Sequence, residues 1–310
     1  MSWIWVTIGF FSLINRDKII YILLPVHNRV LVTEKFIDCL VQQKYQNVFL
    51  ILIDDGSQDG TAEMVRRHVK NVKVLRGDGH WWWAGSLHQG WLWLSQNFRN
   101  EDDVVLIIND DVTFENDYFV NAVKLIGEKP NFLILSTCYD LTSKKFVDAG
   151  QKIDWENMKF RSPQRNEPPD CLSTRGLFMT VRTFVRSGGF FPKCLPHYLS
   201  DYEFSIRAKK MGISLHASPD LKVWLVSEKT GWHSLWKPEG TFLENLQRFW
   251  SPKNPCFPPF FISFILLACP RRFRMKHVKN QMLAFWGAFR FLVGMFLKEK
   301  IVGRNEIQRI

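Results

Sequence analysis

The sequence predicts an α/β protein with a Rossmann-like, mostly parallel sheet flanked by helices, followed by a C-terminal helical extension. Three observations predict it. Short apolar runs alternate with segments of helical spacing, the signature of βαβ units. Acidic and glycine-rich clusters fall at the ends of those runs, where open parallel sheets hold ligands. After Trp250 the composition turns to apolar stretches joined to basic clusters.

The elements follow in order. IIYILLPV (Ile19–Val26) is a short apolar run ending near a proline and reads as a buried parallel strand. VTEKFIDCLVQQ then places Phe36, Leu40 and Val41 on one helical face. VFLILIDD (Val48–Asp55) is a second buried strand, and TAEMVRRHV a helix that Asp59 is placed to cap. VKVLR is a third strand, AGSLHQGWLWLSQNF a third helix, and DVVLIIND (Asp103–Asp110) a fourth strand; YFVNAVKLIGEK and FLILST add one more of each. From about Phe146 to Pro169 the pattern is polar and irregular, as in a hairpin or lid over the sheet. TRGLFMTVRTFVRSGGF resumes as a strand and short helix, and SDYEFSIRAKKMG is an amphipathic helix stopped by Gly212. The chain thus divides into an apolar segment (1–18), a main domain (19–250, with halves 19–137 and 138–250) and a basic, apolar tail (251–310).

With 46% hydrophobic and 23% charged residues, the 310-residue chain has the composition of a protein with a core rather than of a disordered one. Its net charge of +11 is local: Arg271 to Ile310 holds ten Lys/Arg against two Asp/Glu. Such a patch points to an acidic surface such as phospholipid. Nucleic acid is not expected as a partner, because acidic clusters at a binding face repel phosphates. Six cysteines without CxxC pairing argue against a disulfide framework or zinc site and fit a reducing cytosolic face. The N-terminal apolar segment is shorter than the ~20 residues that span a bilayer. It lacks signal-peptide features and reads as a monotopic anchor or a buried first element. The two apolar runs of the tail are also too short or too interrupted to span, so they read as interfacial helices with basic groups on anionic lipid. The other reading packs them on the main domain or a partner copy. The expected location is the cytoplasmic face of a membrane, peripheral or monotopic.

Asp54-Asp55-Gly56-Ser57, the tryptophan segment HWWWAGS and Asn109-Asp110-Asp111 follow the second, third and fourth strands. Carboxylates gathered at one sheet edge are costly unless a cation neutralises them. A hard divalent ion, Mg²⁺ or Mn²⁺, is the usual answer and favours a diphosphate ligand.

In order, PVHNR, DDGSQDGT, NDDV and SDYEFSIRAKKMG resemble the motif set of the family 2 inverting glycosyltransferases, over roughly Ile19 to Ser234. In motif style the chain is similar to rhamnosyl- and galactofuranosyltransferase-like envelope glycan enzymes. The resemblance implies a GT-A fold, with a nucleotide-sugar half and an acceptor half. It implies transfer of a sugar from a nucleoside-diphosphate donor, UDP- or dTDP-linked, to a hydroxyl of a lipid-linked or cell-envelope glycan. It places Pro25, Val26 and Asn28 at the nucleotide pocket, with Asp54 or Asp55 accepting a hydrogen bond from the base. NDDV stands at the DXD motif: Asp111 would ligate the metal, Asp110 would lie near the ribose or a metal-bound water, and Asn109 replaces the first acid. Asp201 matches the general base, although Ser200 stands where a glutamate is common. His233 is the candidate imidazole ligand. Arg207 would orient or pair with acids.

The tryptophan loop occupies the place of a small-residue loop entering a helix beside the nucleotide. Gly85 and its small neighbours would let backbone N–H groups approach a phosphate, and Trp82 or Trp83 would face the donor sugar. The alternative is that all three tryptophans wedge the loop onto the sheet. Two other functions remain in view: a sugar nucleotidyltransferase, which should show glycines after strand one where LLPVHNRVL has none, and a non-enzymatic basic membrane- or nucleic-acid-binding protein.

Overall fold

The first strand, β1 (Ile20–Val26), is buried along its whole length, as expected of a strand covered on both faces. The computed structural model to which it belongs describes residues 18–164, 167–226, 240–254 and 257–307. The N-terminal segment and His233 lie outside them. Next come α1 (Val30–Val41), β2 (Val48–Asp54), α2 (Thr61–His68), β3 (Val72–Arg76), α3 (Trp82–Asn97) and β4 (Val104–Ile107). β1 pairs in parallel with both β2 and β4, and β2 in parallel with β3. The ends of β1, β2 and β4 therefore open onto one edge; Val26 lies opposite Asp54.

The chain continues with β5 (Val112–Thr113), α4 (Tyr118–Glu128), β6 (Phe132–Asp140), β7 (Phe146–Asp148), β8 (Lys152–Asp154), β9 (Lys159–Arg161), β10 (Leu177–Thr180), α5 (Val181–Ser187), α6 (Ser200–Lys210) and β11 (Ser214–Leu225). The sheet runs β3-β2-β1-β4-β10-β6-β11-β5, with β7 on β6. β10 is antiparallel to both β4 and β6, whereas β6 and β11 are parallel. One sheet thus continues through both halves of the main domain. The polar stretch after Phe146 supplies β7 and the separate β8–β9 hairpin.

Two apolar layers cover the sheet. Ile22, Leu24, Leu50, Leu52 and Leu106 point to the side of α1, α2 and α4, with Phe36, Val65 and Phe119 among their neighbours. Leu23, Ile53, Val105 and Ile107 point the other way, towards Leu87 and Leu94 of α3 and Phe204 of α6. This alternation along each strand is the two-residue period of the pleat. Asp59 does not occupy the cap position of α2, which is Gly60 at φ +83°. Its carboxylate instead accepts from Thr61 N and Oγ1 and, across the loop, from Val30 N.

The main domain ends with α7 (Phe242–Trp250), capped by a reciprocal Thr241–Glu244 box, and the tail forms α8 (Pro258–Ala268) and α9 (Arg271–Ile307). α8 packs on the main domain: Phe264 and Ala268 join Ile153, Leu195 and Ile206 in one cluster. Lys210 Nζ donates to the Leu267 and Ala268 carbonyls at 3.1 and 2.8 Å. No described helix is long and apolar enough to cross a membrane.

Candidate active site

The loops after β1 and β2 are tied to each other. Asn28, at φ +51°, donates its N–H to Ser57 Oγ and accepts Gln58 N–H on its side-chain oxygen. His27 Nδ1 donates to the Asp55 carbonyl at 2.5 Å, leaving Nε2 to accept from Asn28 Nδ2. Pro25 and Val26 are buried in the strand; Val26 meets its surroundings as a core side chain, and its carbonyl accepts Asp55 N–H. Asp54 accepts Ser57 N–H at 2.8 Å.

Asp55 organises the tryptophan segment. Its Oδ1 accepts Gly79 N–H, and its Oδ2 accepts both Trp81 and Trp82 N–H, at 2.9–3.0 Å. A carboxylate on the last residues of one strand thus caps the helix that follows another, satisfying donors that a helix start leaves orphaned. Ala84 N–H donates to Pro196 O and Gly85 N–H to Trp81 O, so these two N–H groups are already engaged at the place where the sequence predicts a phosphate contact.

The helix also starts earlier than its spacing predicted, at Trp82 rather than Ala84. Each tryptophan then has its own place. Trp81 and Trp83 pack against the core beneath α3, and Trp83 Nε1 donates to Thr174 Oγ1. Trp82 sits at φ +55°, a conformation unusual for a bulky residue, and meets the His197 ring edge-on at 6.2 Å. Trp81 and Trp83 thus lie against the core, while Trp82 faces His197.

At the end of β4, Asp110 Oδ2 accepts from Arg29 Nε at 3.0 Å and from Thr33 Oγ1 at 2.8 Å. Arg29 Nη2 lies 3.8 Å from Asp111 Oδ2. Burial pushes Asp110 up to about 6, against the pull of Arg29 and Thr33. The cation beside the acidic pair is therefore in part a resident guanidinium. Among the described residues no three His, Cys, Asp or Glu side chains converge as an ion site. The donor chemistry still fits a hard divalent ion held by the Asp111 carboxylate and completed by water and diphosphate oxygens, the usual mode for Mg²⁺. Asp110 is fixed by Arg29 and by Thr33 of α1.

The part of the chain beyond β6 brings in Asp201, in the first turn of α6. Burial pushes its carboxyl up to about 6; Tyr202 N–H opposes this, and nearby Asp148 adds to it. Asp148, at the end of β7, accepts Ser173 Oγ at 2.5 Å and Gly150 N–H at 2.9 Å. Half-buried Arg175 lies within electrostatic reach of Asp111, Asp148 and Asp201. Burial would lower its pKa, but Cys138, Asp111 and Asp148 outweigh that and hold it raised. Arg175 in turn pulls Asp201 down. Asp111 and Asp201, 90 residues apart in sequence, both lie within electrostatic reach of Arg175. His197 is held neutral, at about 4, by burial and Lys253. Arg207 pairs with Glu203 at 2.9 Å and donates to the Ser187 and Gly189 carbonyls, which makes it a brace for α6.

Arg29 and Asp148 had no role in the sequence reading. Arg29 stands within PVHNR, but its partner is 81 positions away. Asp148 lies in the stretch that looked irregular, and no periodicity marks it.

The glycosyl transferase family 2 model matches residues 21–185, just over half the chain. No curated protein sequence matches. Among solved structures, the mannosyltransferase PcManGT from Pyrobaculum calidifontis, in complex with GDP-Man and Mn²⁺, superposes with a TM-score of 0.54 at 14% identity, covering 92% of this chain and 75% of that one. GalNAc-T7 with UDP, GalNAc and Mn²⁺ gives 0.56 at 15% identity, covering 77% of this chain and 50% of that one.

Proposed function

This chain belongs to glycosyl transferase family 2 and has the GT-A fold, and on that premise we propose that it is a metal-dependent inverting hexosyltransferase. It takes a UDP- or dTDP-linked donor and passes the sugar to a hydroxyl of a lipid-linked or cell-envelope glycan. The reading rests on the Asp110–Asp111 pair held beside Arg29 at the end of β4 and on Asp201 in the first turn of α6, with Arg175 within electrostatic reach of both Asp111 and Asp201. The nucleotide and Mn²⁺ bound by the two structural neighbours support a nucleotide donor and a divalent ion. A base imide N–H matches a carboxylate acceptor, which suits uracil or thymine; of the two candidates it falls to Asp54, because both oxygens of Asp55 already hold the tryptophan segment.

Asp111 would hold the ion, with Mg²⁺ and Mn²⁺ equally suited to its oxygen donors. When bound, a divalent cation supplies charge neutralisation at the departing diphosphate. Asp201 accepts the proton of the acceptor hydroxyl as that oxygen attacks the anomeric carbon. The bond from that carbon to the diphosphate oxygen breaks on the opposite face, and its electron pair leaves with the nucleotide. Trp82 offers a flat apolar face to the sugar between the two halves. Arg175 balances the acids that line the crevice.

The test is transfer by the full chain from UDP- and dTDP-sugars to lipid-linked glycans in the presence of Mn²⁺, with the anomeric configuration of the product read by NMR. Inversion is expected. A product that retains the donor's configuration would remove Asp201 from the role of base.

A further inference from the structure

α9 meets the rest of the protein along one narrow edge. His277 and Leu292 are buried there, His277 Nε2 reaches the Trp155 carbonyl at 2.7 Å, and Phe285 and Ala288 pack on the cluster of Phe249 and Phe257. A helix seated this way is expected to turn a polar face to water. The opposite face instead carries Met275, Met282, Trp286, Phe289, Val293 and Leu297, which are 40–78% exposed. Steps of seven, four, three, four and four residues keep these side chains on one stripe of the helix. Exposed apolar patches of such extent on soluble proteins mark interaction sites.

The charges on this helix choose the partner. Between Arg271 and Leu297 there are six Lys/Arg and no Asp/Glu. Arg272 precedes Met275 by three residues, Lys279 precedes Met282 by three, and Arg290 follows Trp286 by four, so cations interleave with the stripe itself. Their aliphatic stems can lie along apolar surface while the charged heads reach outward. A second copy of this face would bring cation against cation with no acid to pair. An anionic headgroup layer over acyl chains matches both features. The absence of a spanning helix among the described residues suits a helix lying in the plane of the interface.

We propose that the exposed face of α9 docks on an anionic phospholipid surface, with Trp286 and Phe289 entering the acyl boundary and Arg272, Lys279 and Arg290 meeting the headgroups. The helix is anchored through α8 to α6, the helix that carries Asp201 in its first turn, so docking fixes the acceptor half relative to the bilayer. This proposal stands independently of the donor chemistry.

The test is flotation of the full chain with vesicles of phosphatidylcholine alone or mixed with phosphatidylglycerol. The chain should float with the anionic vesicles and much less with the zwitterionic ones. Replacing Lys279 and Arg290 by Ser should lower partitioning about 30-fold, at ~1 kcal/mol for each cation. Trp286→Glu with Phe289→Glu should abolish flotation even at low salt. Both variants change exposed positions, and circular dichroism checks that they fold. A parent chain that stays with the unbound fraction, or variants that float as well as the parent, would overturn the proposal. So would a dimer broken by the Trp286→Glu variant in a chain that never floats, which would assign the face to a second copy. Flotation needs no donor or turnover, so its failure leaves the transferase reading intact.

Discussion

Asp201 has two properties that pull against each other. A base at the first turn of a helix is stabilised as an anion by the helix N-terminus, yet burial and Asp148 move its carboxyl up to about 6. The fold therefore favours the protonated form, and the stability this group contributes is largest below its unfolded value of 3.8 and is lost as pH rises through about 6. Catalysis needs the opposite state, so kcat/KM should fall as pH drops through about 6. Asp201→Asn separates the two effects. It should lower turnover by about 10²–10⁴-fold. It should also stabilise the protein at pH 7 by on the order of 1–2 kcal/mol, and denaturant unfolding should show that gain closing below about pH 4. Asp201 was legible in the sequence because it sits inside a motif-bearing helix. Asp148, which tunes it, was not, because only the pairing of β7 with β6 brings it there.

At the scale of elements, α3 shows how a local signal and a long-range one combine. Its spacing placed the helix correctly, but its first turn was hidden, because the residue that caps it, Asp55, comes from the loop after β2. The same helix is seated through Gly90. A Cβ added there would lie 2.8 Å from both Ile53 Cδ1 and Leu23 Cδ2, which allows α3 to approach the centre of the sheet. Gly90→Ala gains helix propensity of roughly 1 kcal/mol but overpacks this contact at roughly 1–3 kcal/mol. The net expectation is a lower unfolding midpoint in denaturant with an unchanged m-value. β1, β2 and β4 were legible for a plain reason: each is buried over most or all of its length and so carries a nearly unbroken apolar run, whereas edge strand β3 showed only as the short stretch VKVLR. β5 was not, because two residues leave no period, and β10 gave no sign that it would run antiparallel.

For the whole molecule, a single sheet carries the loops that hold Asp54, Asp55 and Asp111 and then, past β10, the elements around Asp201. The sequence showed that acidic clusters end the strands. It did not show that Arg29 and Arg175 supply resident positive charge among them, since each lies far in sequence from most of the acids it faces. The tail divides its tasks in a way composition alone left open, with α8 packed on the main domain and α9 presenting its apolar, basic face outward. The central claim is that Asp111 and Asp201 serve one donor-bearing crevice in different roles. Calorimetric titration of UDP and dTDP, with and without Mn²⁺, into the parent chain, Asp111→Asn and Asp201→Asn tests it most directly. The account predicts that Asp111→Asn weakens the Mn²⁺-dependent affinity about tenfold or more, a loss of at least ~1.4 kcal/mol, while Asp201→Asn binds as the parent does. Nucleotide affinity indifferent to Mn²⁺ and to Asp111, or lost on changing Asp201 alone, would contradict it.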